Sequence, residues 1–336
     1  MGKLSNKRLK VLIDCIRKDS RVVVPPMVGY DSGVHVVDGK YLVVASDPCV
    51  GVPMKWFGYL LVNYAASDVA LSGTKPQFCT INLLAPESTE PEVFEKIMKQ
   101  VCQAANELDI AIVRGHTGTY PSLCDIVGVA TVYGTCELER LITPAGAKPG
   151  DLIVCTKSLG LETIINFALA KKELACELFG VEQQKKLSGQ IKMQSCVNEA
   201  LQLAETGVVH AMHDATEGGF VAALNELAEA SSVGFRVNWE KIHISKETVA
   251  LQRHFNLSDQ QVLAMSSTGT VLAAVDVKGR EKVEIVLAQN GLEPYFLGEF
   301  TEDRSRILVK RGREESFPAV PNDPYDLIVP AKSAIS

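Results

Sequence analysis

The chain of 336 residues lacks the motifs by which many nucleotide-binding and hydrolytic enzymes are recognised. It has no G-x-x-x-x-G-K-[ST] phosphate loop, no G-x-G-x-x-G fingerprint, no H-E-x-x-H zinc motif and no G-x-S-x-G nucleophile elbow. Nine cysteines are present, but no two have the C-x-x-C spacing of zinc and dithiol sites. A protein with this sequence that handles nucleotides must therefore do so by another arrangement of residues.

Long apolar runs and basic clusters are also lacking. No stretch approaches the ~20 apolar residues of a membrane span, and the first twenty residues read as a basic amphipathic helix rather than a signal peptide. The net charge is -6 with scattered lysines and arginines, which argues against nucleic acid as a partner. An odd number of cysteines cannot all pair, so we expect reduced thiols and a cytoplasmic protein. Because long apolar runs are lacking, we expect no membrane partner.

What is present is an alternation of short apolar runs and amphipathic stretches, which predicts a mixed α/β protein. The Pro- and Gly-rich stretch 144–151 predicts a junction between domains 1–143 and 144–311, and 312–336 reads as a Pro-rich, extended or mobile tail. Helices are expected at 5–17, 56–71, 90–108, 161–179, 192–205 and 218–230. Strands are expected at 41–46, 77–85, 110–113, 124–136, 233–238, 269–277, 294–299 and 306–310.

Several aspartates stand beside small residues, most of them at an element end. They are Asp31 in GYDSG, Asp47 after the strand YLVVAS, Asp68 in AASDVA and Asp214 in HDATEGG. A carboxylate such as that of Asp68, surrounded by Ala and Val, is costly to bury unless it is paired or bound to a cation. Converging carboxylates suit Mg²⁺, which takes oxygen ligands and phosphate oxygens. The alternative is that Asp31 and Asp47 are turn residues and that Asp68 pairs with an amide or with Lys75.

Two further segments carry polar residues where a connection would need fewer. Arg114–Thr119 follows an apolar strand that reads as buried, so its amides and hydroxyls could bind phosphate, although one glycine-containing loop is weak evidence. In HDATEGG, Thr216 is a candidate cap for the next helix, and Gly218 and Gly219 allow close approach of a ligand or another segment. A metal pair of His210 and His213 is disfavoured, because residues three apart face opposite sides of a strand.

Taken in order, these segments resemble the aminoimidazole ribonucleotide synthetase (PurM-like) superfamily. The matching pieces are DSGVHVV, VVASDPCV, NYAASDVALSGTKP, VRGHTGTY, PAGAKPGDLIV, HDATEGG and SSTGTVLAAV, over roughly residues 25 to 310. The spellings GAKPGD and HDATEGG are most similar to HypE-related hydrogenase-maturation proteins.

The resemblance implies a two-domain α/β fold in which the first domains of two subunits pair into a barrel-like sheet, giving a homodimer that binds ATP and Mg²⁺. It implies metal ligation by Asp31, Asp47, Asp68 and Asp214, and catalytic roles for His116 and Asp214. The remaining implied nucleotide contacts are Ser32, Gly33, Thr117, Thr216 and Gly218, together with the acids Asp31, Asp47 and Asp68. The small-molecule substrate is unknown.

Three departures limit the resemblance. The chain ends AKSAIS and has no cysteine after Cys196, which excludes carbamoyl chemistry on a C-terminal thiol by this chain alone. His116 stands where many relatives have an acid, and CTKSLGLETI lacks the usual Gly-rich loop. The leading hypothesis is an enzyme that activates an oxygen of a small substrate by phosphoryl transfer from ATP. The alternative is a nucleotide-binding maturation or scaffold partner that acts through protein contacts, with its tail as a contact surface.

Overall fold

The computed structural model describes residue 4 and residues 6–330. By internal contacts these residues divide into two compact units. The N-terminal unit contains residues 18–26 and 31–141, and the C-terminal unit contains the described residues up to 17 together with 27–30 and 142–330.

The N-terminal unit is a six-stranded sheet with two long helices. The strands are β1 (Val22–Val24), β2 (Gly33–Val37), β3 (Lys40–Cys49), β4 (Phe78–Pro86), β5 (Ala111–Tyr120) and β6 (Val127–Cys136), in the order β1-β2-β3-β6-β4-β5. The β4–β5 pair is parallel and the other pairs are antiparallel. Among the described residues, strand β5 is therefore an edge strand with one hydrogen-bonded neighbour.

Helices α2 (Phe57–Leu71) and α3 (Pro91–Glu107) cover this sheet; α1 (Asn6–Ile13) belongs to the C-terminal unit. Helix α2 is apolar on nearly all sides, and it is buried between α3 and strands β3 and β6. Its contact with α3 is close, since a Cβ at Gly58 would lie 2.4 Å from the carbonyl oxygen of Ile97. Helix α3 is amphipathic, and its apolar stripe includes Ile97 and Val101.

The C-terminal unit is built on a seven-stranded sheet with the order β13-β12-β9-β11-β7-β10-β8. Its strands are β7 (Leu152–Cys155), β8 (Val209–Asp214), β9 (Gly234–Asn238), β10 (Val271–Val275), β11 (Tyr295–Thr301), β12 (Arg306–Lys310) and β13 (Arg313–Ser316). Its helices after α1 are α4 (Leu161–Ala170), α5 (Lys172–Phe179), α6 (Val181–Ser188), α7 (Val197–Glu205), α8 (Gly219–Ser231), α9 (Lys246–His254), α10 (Asp259–Leu263), α11 (Arg280–Gln289) and α12 (Tyr325–Ile328). Strand β10, which lies between β7 and β8, is buried at every position, as its continuous apolar run VLAAV predicts.

Most predicted elements are present, but several differ from the sequence-based expectation. Strand β3 continues through Asp47 to Cys49, and the predicted helix over 161–179 is two helices that meet at Lys171. The predicted loop 114–119 is part of β5, and Ile112 and Val113 before it are exposed rather than buried, because β5 lies at the sheet edge. Residues 313–316 form strand β13, and Pro318 and Tyr325 after it are hydrogen-bonded to α8 and α4; residues 331–336 lie outside the described part.

No helix among the described residues is long and apolar enough to cross a membrane. The division of the chain into domains 1–143 and 144–311 with a separate tail stays a prediction.

Candidate functional site

Two of the predicted metal ligands lie at the same end of a strand pair in the N-terminal unit. Asp31 and Ser32 come directly before β2, and Gly33 is the first residue of β2, where it pairs with Val44 of β3. Asp47 lies three residues beyond Val44 on the antiparallel partner, opposite Ala130 of β6. The backbone register therefore places Asp31 and Asp47 near one another along the edge of the β2–β3 pair.

Asp68 is buried in the middle of α2. Its relative exposure is 7%, and its neighbours along the helix, Ala66 and Val69, are fully buried. Lys75, an alternative partner considered from the sequence, forms an ion pair with Asp109 at 2.6 Å. Burying a carboxylate in apolar surroundings costs free energy unless a charge or a strong hydrogen-bond donor compensates for it. The position of Asp68 therefore favours the binding of a cation or a strong donor.

His116 and Thr117 lie on the outer strand β5. They pair with Asn82 and Leu83 of β4, and the His116 Nε2 atom lies 2.8 Å from the Tyr120 hydroxyl. Strand β5 is separated from β3 by β4 and β6, a distance of roughly 14 Å at ~4.8 Å per strand. Within the N-terminal unit of one chain, the fold therefore does not bring His116 and Thr117 beside Asp47.

In the C-terminal unit, HDATEGG forms the connection between β8 and α8, as the sequence predicts. His213 and Asp214 end the strand and are 1% and 2% exposed. The His213 Nε2 atom lies 2.9 Å from Glu226 of α8, whereas His210 lies 2.8 Å from Asp151. The two histidines thus have separate carboxylate partners.

Backbone contacts fix this turn against the loop 264–270. The amide of Ala215 donates to the carbonyl of Thr270 at 2.9 Å, and the amide of Ser267 donates to the carbonyl of Ala215 at 2.8 Å. Gly219 has a φ of +54°, and a Cβ there would lie 2.3 Å from the carbonyl oxygen of Met265. The second glycine of the motif is therefore required by this close approach.

The first glycine of the motif is required by a segment that the sequence analysis did not connect to it. Gly218 is the N-cap of α8, rather than Thr216, with a φ of +80°. A Cβ on Gly218 would lie 2.9 Å from the Cβ of Pro321, and its amide donates to Asp323 at 3.0 Å. Of the two possibilities open for the double glycine, the structure shows approach of other chain segments.

Four polar residues beside this turn were not singled out from the sequence. Ser266 donates to Asp323 at 2.6 Å, and Thr268 donates to Glu162, at the start of α4, at 2.5 Å. Burial raises the pKa of Glu162 from 4.5 to about 7, and the charges of Asp323 and Glu217 act in the same direction. The only sequence signal was that Glu162 lies in CTKSLGLETI, the segment that departs from the family pattern.

A buried ion pair contacts the loop 264–270. Lys157 and Glu199 have side chains 5% and 7% exposed and lie 2.5 Å apart. The Lys157 ammonium also donates to the carbonyls of Met193, Ser195 and Gly269 at 2.7–2.9 Å. Since Gly269 belongs to the loop 264–270, Lys157 ties that loop to the segment before α7.

Two mixed α/β units, each carrying acids of the expected motifs, define a protein with the two-domain PurM-like fold. Residues 29–136 match the model of the AIR synthase related protein N-terminal domain, and residues 148–310 match that of its C-terminal domain. The chain belongs to the AIR synthase-related family.

Relatives within this family have several activities in their names. A hydrogenase expression/formation protein of Methanocaldococcus jannaschii is 25% identical over 257 residues, covering 75% of this chain and 72% of the relative. The selenide, water dikinase of Porphyromonas gingivalis is 28% identical over 322 residues, covering 87% and 89%. The structure of the hydrogenase maturation protein HypE in complex with ATP has the same fold, with a TM-score of 0.69, 17% identity and coverage of 96% and 92%. The resemblance to the PurM-like superfamily, and to HypE within it, is confirmed.

Proposed function

We propose that this protein is an ATP- and Mg²⁺-dependent enzyme that activates an oxygen atom of a small substrate by phosphoryl transfer. The observation that carries the proposal is the buried carboxylate of Asp68, in a mostly apolar helix of a domain that matches the family's N-terminal model. A dikinase among the relatives and the ATP complex of HypE support the choice of ATP.

The donor set fits magnesium. Asp31, Asp47 and Asp68 offer carboxylate oxygens, the hard ligands that Mg²⁺ takes together with phosphate oxygens. The motif match gives the same role to Asp214 of the second domain. Bound Mg²⁺ would neutralise charge on the phosphate chain, and the nucleotide-binding residues Ser32, Gly33, Thr117, Thr216 and Gly218 stay a prediction.

His116 is the proposed proton-transfer residue. Its imidazole is exposed, and its Nε2 atom lies 2.8 Å from the Tyr120 hydroxyl, which can fix the orientation of the ring. A neutral imidazole has one acceptor nitrogen, so His116 can accept the proton of a substrate hydroxyl or amide.

A homodimer would bring a second copy to the exposed strand β5, on which His116 and Thr117 lie. Ile112, Val113 and Tyr120 on this strand are exposed, and an apolar edge strand of this kind is normally covered. The alternative function is a scaffold that acts through protein contacts, with the tail as its contact surface. The tail packs on its own unit up to residue 330, so its structure does not favour the scaffold hypothesis.

The test is an ATP-hydrolysis assay with and without candidate amide and hydroxyl acceptors. We expect ADP release that requires Mg²⁺, rises with the correct acceptor and is abolished by Asp68→Asn. Asp38→Asn is the matched control, because Asp38 is exposed in the same unit. If ATP and Mg²⁺ neither turn over nor raise the melting temperature of the wild-type protein, the proposal is wrong and the family resemblance reports the fold alone.

A further inference from the structure

The segment after β13 crosses the C-terminal unit as a strap, which we define as residues 317–329. Phe317 packs edge-on against Phe220 and Phe235 in the main core of this unit. At the other end, Ile328 and Val329 are buried in the separate cluster formed around α4 and α5. The strap is therefore anchored at both ends by buried apolar side chains.

Between these anchors the strap passes directly over the HDATEGG turn. Asn225 of α8 donates to the carbonyl of Pro318 at 2.8 Å, and Pro321 lies against Gly218. On the far side, the side-chain amide of Asn166 donates to the Tyr325 hydroxyl at 2.9 Å. Polar contacts thus hold the middle of the strap to both α8 and α4.

Asp323 is the centre of these contacts. Its Oδ2 atom accepts from the amide of Gly218 at 3.0 Å and from the Ser266 hydroxyl at 2.6 Å. Its Oδ1 atom accepts from the amide of Tyr325 at 2.9 Å. One carboxylate therefore joins three segments that are distant in sequence: the HDATEGG turn, the loop 264–270 and the strap.

The position also suits the charge of Asp323. Gly218 is the N-cap of a helix of thirteen residues, and its amide is among the donors that lack an intrahelical partner. A carboxylate at the N-terminus of a helix is favoured both by these donors and by the helix dipole. The N-cap Gly218 has no side chain that could accept from these donors, and Asp323, 105 residues further along the chain, accepts from its amide.

We propose that Asp323 is a positioning residue, which fixes Asp214 and Thr216 in the orientation required for the proposed phosphoryl transfer. The strap is thereby part of the site's construction. This inference rests on the proposed function only for its consequence in turnover; its structural part concerns the HDATEGG turn itself.

Removing Asp323 is expected to act by freeing one end of the HDATEGG turn. Without Asp323, the amide of Gly218 and the Ser266 hydroxyl lose their shared acceptor, and the turn from Asp214 to Gly219 loses its bonded contact with the strap. A displacement of about 1 Å in a positioning group can cost on the order of a hundredfold in rate.

The test compares Asp323→Ala with Asp326→Ala, a control at an exposed position three residues along the same strap. Under the proposal, Asp323→Ala raises the KM for MgATP about tenfold and also lowers kcat. Asp323→Asn retains one acceptor oxygen and restores part of the loss. A role in stability alone would lower the active fraction, so kcat would fall while KM stayed constant. A wild-type KM in Asp323→Ala overturns the proposal.

Hydrogen exchange measures the structural part without any turnover. The amide of Gly218 and its neighbours in 214–219 should exchange faster in Asp323→Ala than in the wild type or Asp326→Ala. Unchanged exchange overturns the proposal even if turnover falls. If the wild-type protein does not use ATP, the proposed function fails, whereas faster exchange of 214–219 still supports positioning by Asp323.

Removing the charge of Asp323 has a third consequence. Thr268 donates to Glu162, and Asp323, Glu217 and Tyr325 are the titratable groups near it. Because the charge of Asp323 raises the pKa of Glu162, Asp323→Ala should shift the titration of Glu162 to lower pH, as measured by NMR of the carboxyl carbon. A titration that does not move would show that Asp323 does not sit beside this loop in solution.

Discussion

The HDATEGG turn of the C-terminal unit and strand β5 of the N-terminal unit both carry motif residues, but their surroundings are opposite. The turn is bonded to the loop 264–270 and to the strap, and Asp214 and His213 in it are buried. Strand β5 pairs on one side only, and its residues are exposed except Gly118, which is half-buried. Contacts within the chain fix the geometry of the turn, whereas the outer edge of β5 has no neighbouring strand among the described residues.

The largest expected loss of stability comes from breaking the support below the turn. Lys157→Met removes the partner of a buried carboxylate, Glu199, and leaves three carbonyls without their donor. We expect the free energy of unfolding in urea to fall by about 3–5 kcal/mol. Lys278→Met, at an exposed position, should change it by less than about 0.5 kcal/mol. Equal effects of the two substitutions would show that the buried pair does not form.

A smaller loss should follow from adding a methyl group to the turn. Gly219→Ala places a Cβ 2.3 Å from the Met265 carbonyl at a φ of +54°, so we expect a loss of more than about 2 kcal/mol. Gly207→Ala is the matched control, because it has a φ of +68° with no atom within 4 Å of the added Cβ. It should lose only the ~1 kcal/mol of the left-handed backbone. Similar losses would mean that backbone strain alone, and not contact with the loop, requires the glycine.

The turn and the strand also differ in how well the sequence predicted them. The strand–turn–helix around HDATEGG was predicted because its signals are local: an apolar run, a cap candidate and two glycines. Close approach of another segment was one of the two reasons considered for the glycines, but the segments themselves were not predicted, since Met265 and Pro321 reach the glycines from distant parts of the chain. Glu162 was missed for the same reason: its environment depends on Thr268, more than a hundred residues away.

Around β5, the predictions of a buried strand and of a loop after it were wrong because local sequence signals were misleading. Ile110–Val113 is as apolar as a buried strand, and Gly115 and Gly118 suggested that a loop follows it. Pairing with β4 extends the strand through both glycines to Tyr120, and a Cβ at Gly115 would meet the Ile81 carbonyl at 2.6 Å. Sequence patterns report apolar character and breakers, but they do not tell an edge strand from a central one. The placement of the four aspartates in one metal site stays a prediction.

A pH titration of stability tests the effect of the Glu162 charge near the turn, separately from the packing of the turn. Because the folded pKa of Glu162 is about 7, above its ordinary 4.5, ionising this carboxyl costs the native state stability. Relative to Glu162→Gln, the wild type should lose about 3 kcal/mol as pH rises from about 4.5 through 7, and the loss should level off above about pH 8. Glu182→Gln, at an exposed position, should follow the wild type. Parallel curves for wild type and Glu162→Gln would mean that Glu162 is solvated.

The smallest effect on the stability of the chain, and the sharpest contrast with the turn, is expected on β5. Val113 is 57% exposed, and the ladder register shifts between its neighbours Ile112 and Arg114. Val113→Asp should therefore change the free energy of unfolding of the monomer by no more than about 0.5 kcal/mol. If β5 binds a second copy, a charge in that apolar contact should weaken self-association at least about tenfold, as measured by light scattering over a dilution series.

Val277→Asp is the matched control, since Val277 is 58% exposed in the C-terminal unit. A wild-type protein that is monomeric at micromolar concentration, or a Val113→Asp variant that associates as tightly as the wild type, would show that the β5 edge is not the homodimer contact. Loss of association in Val113→Asp alone would show that the edge left open by the chain is closed by its second copy.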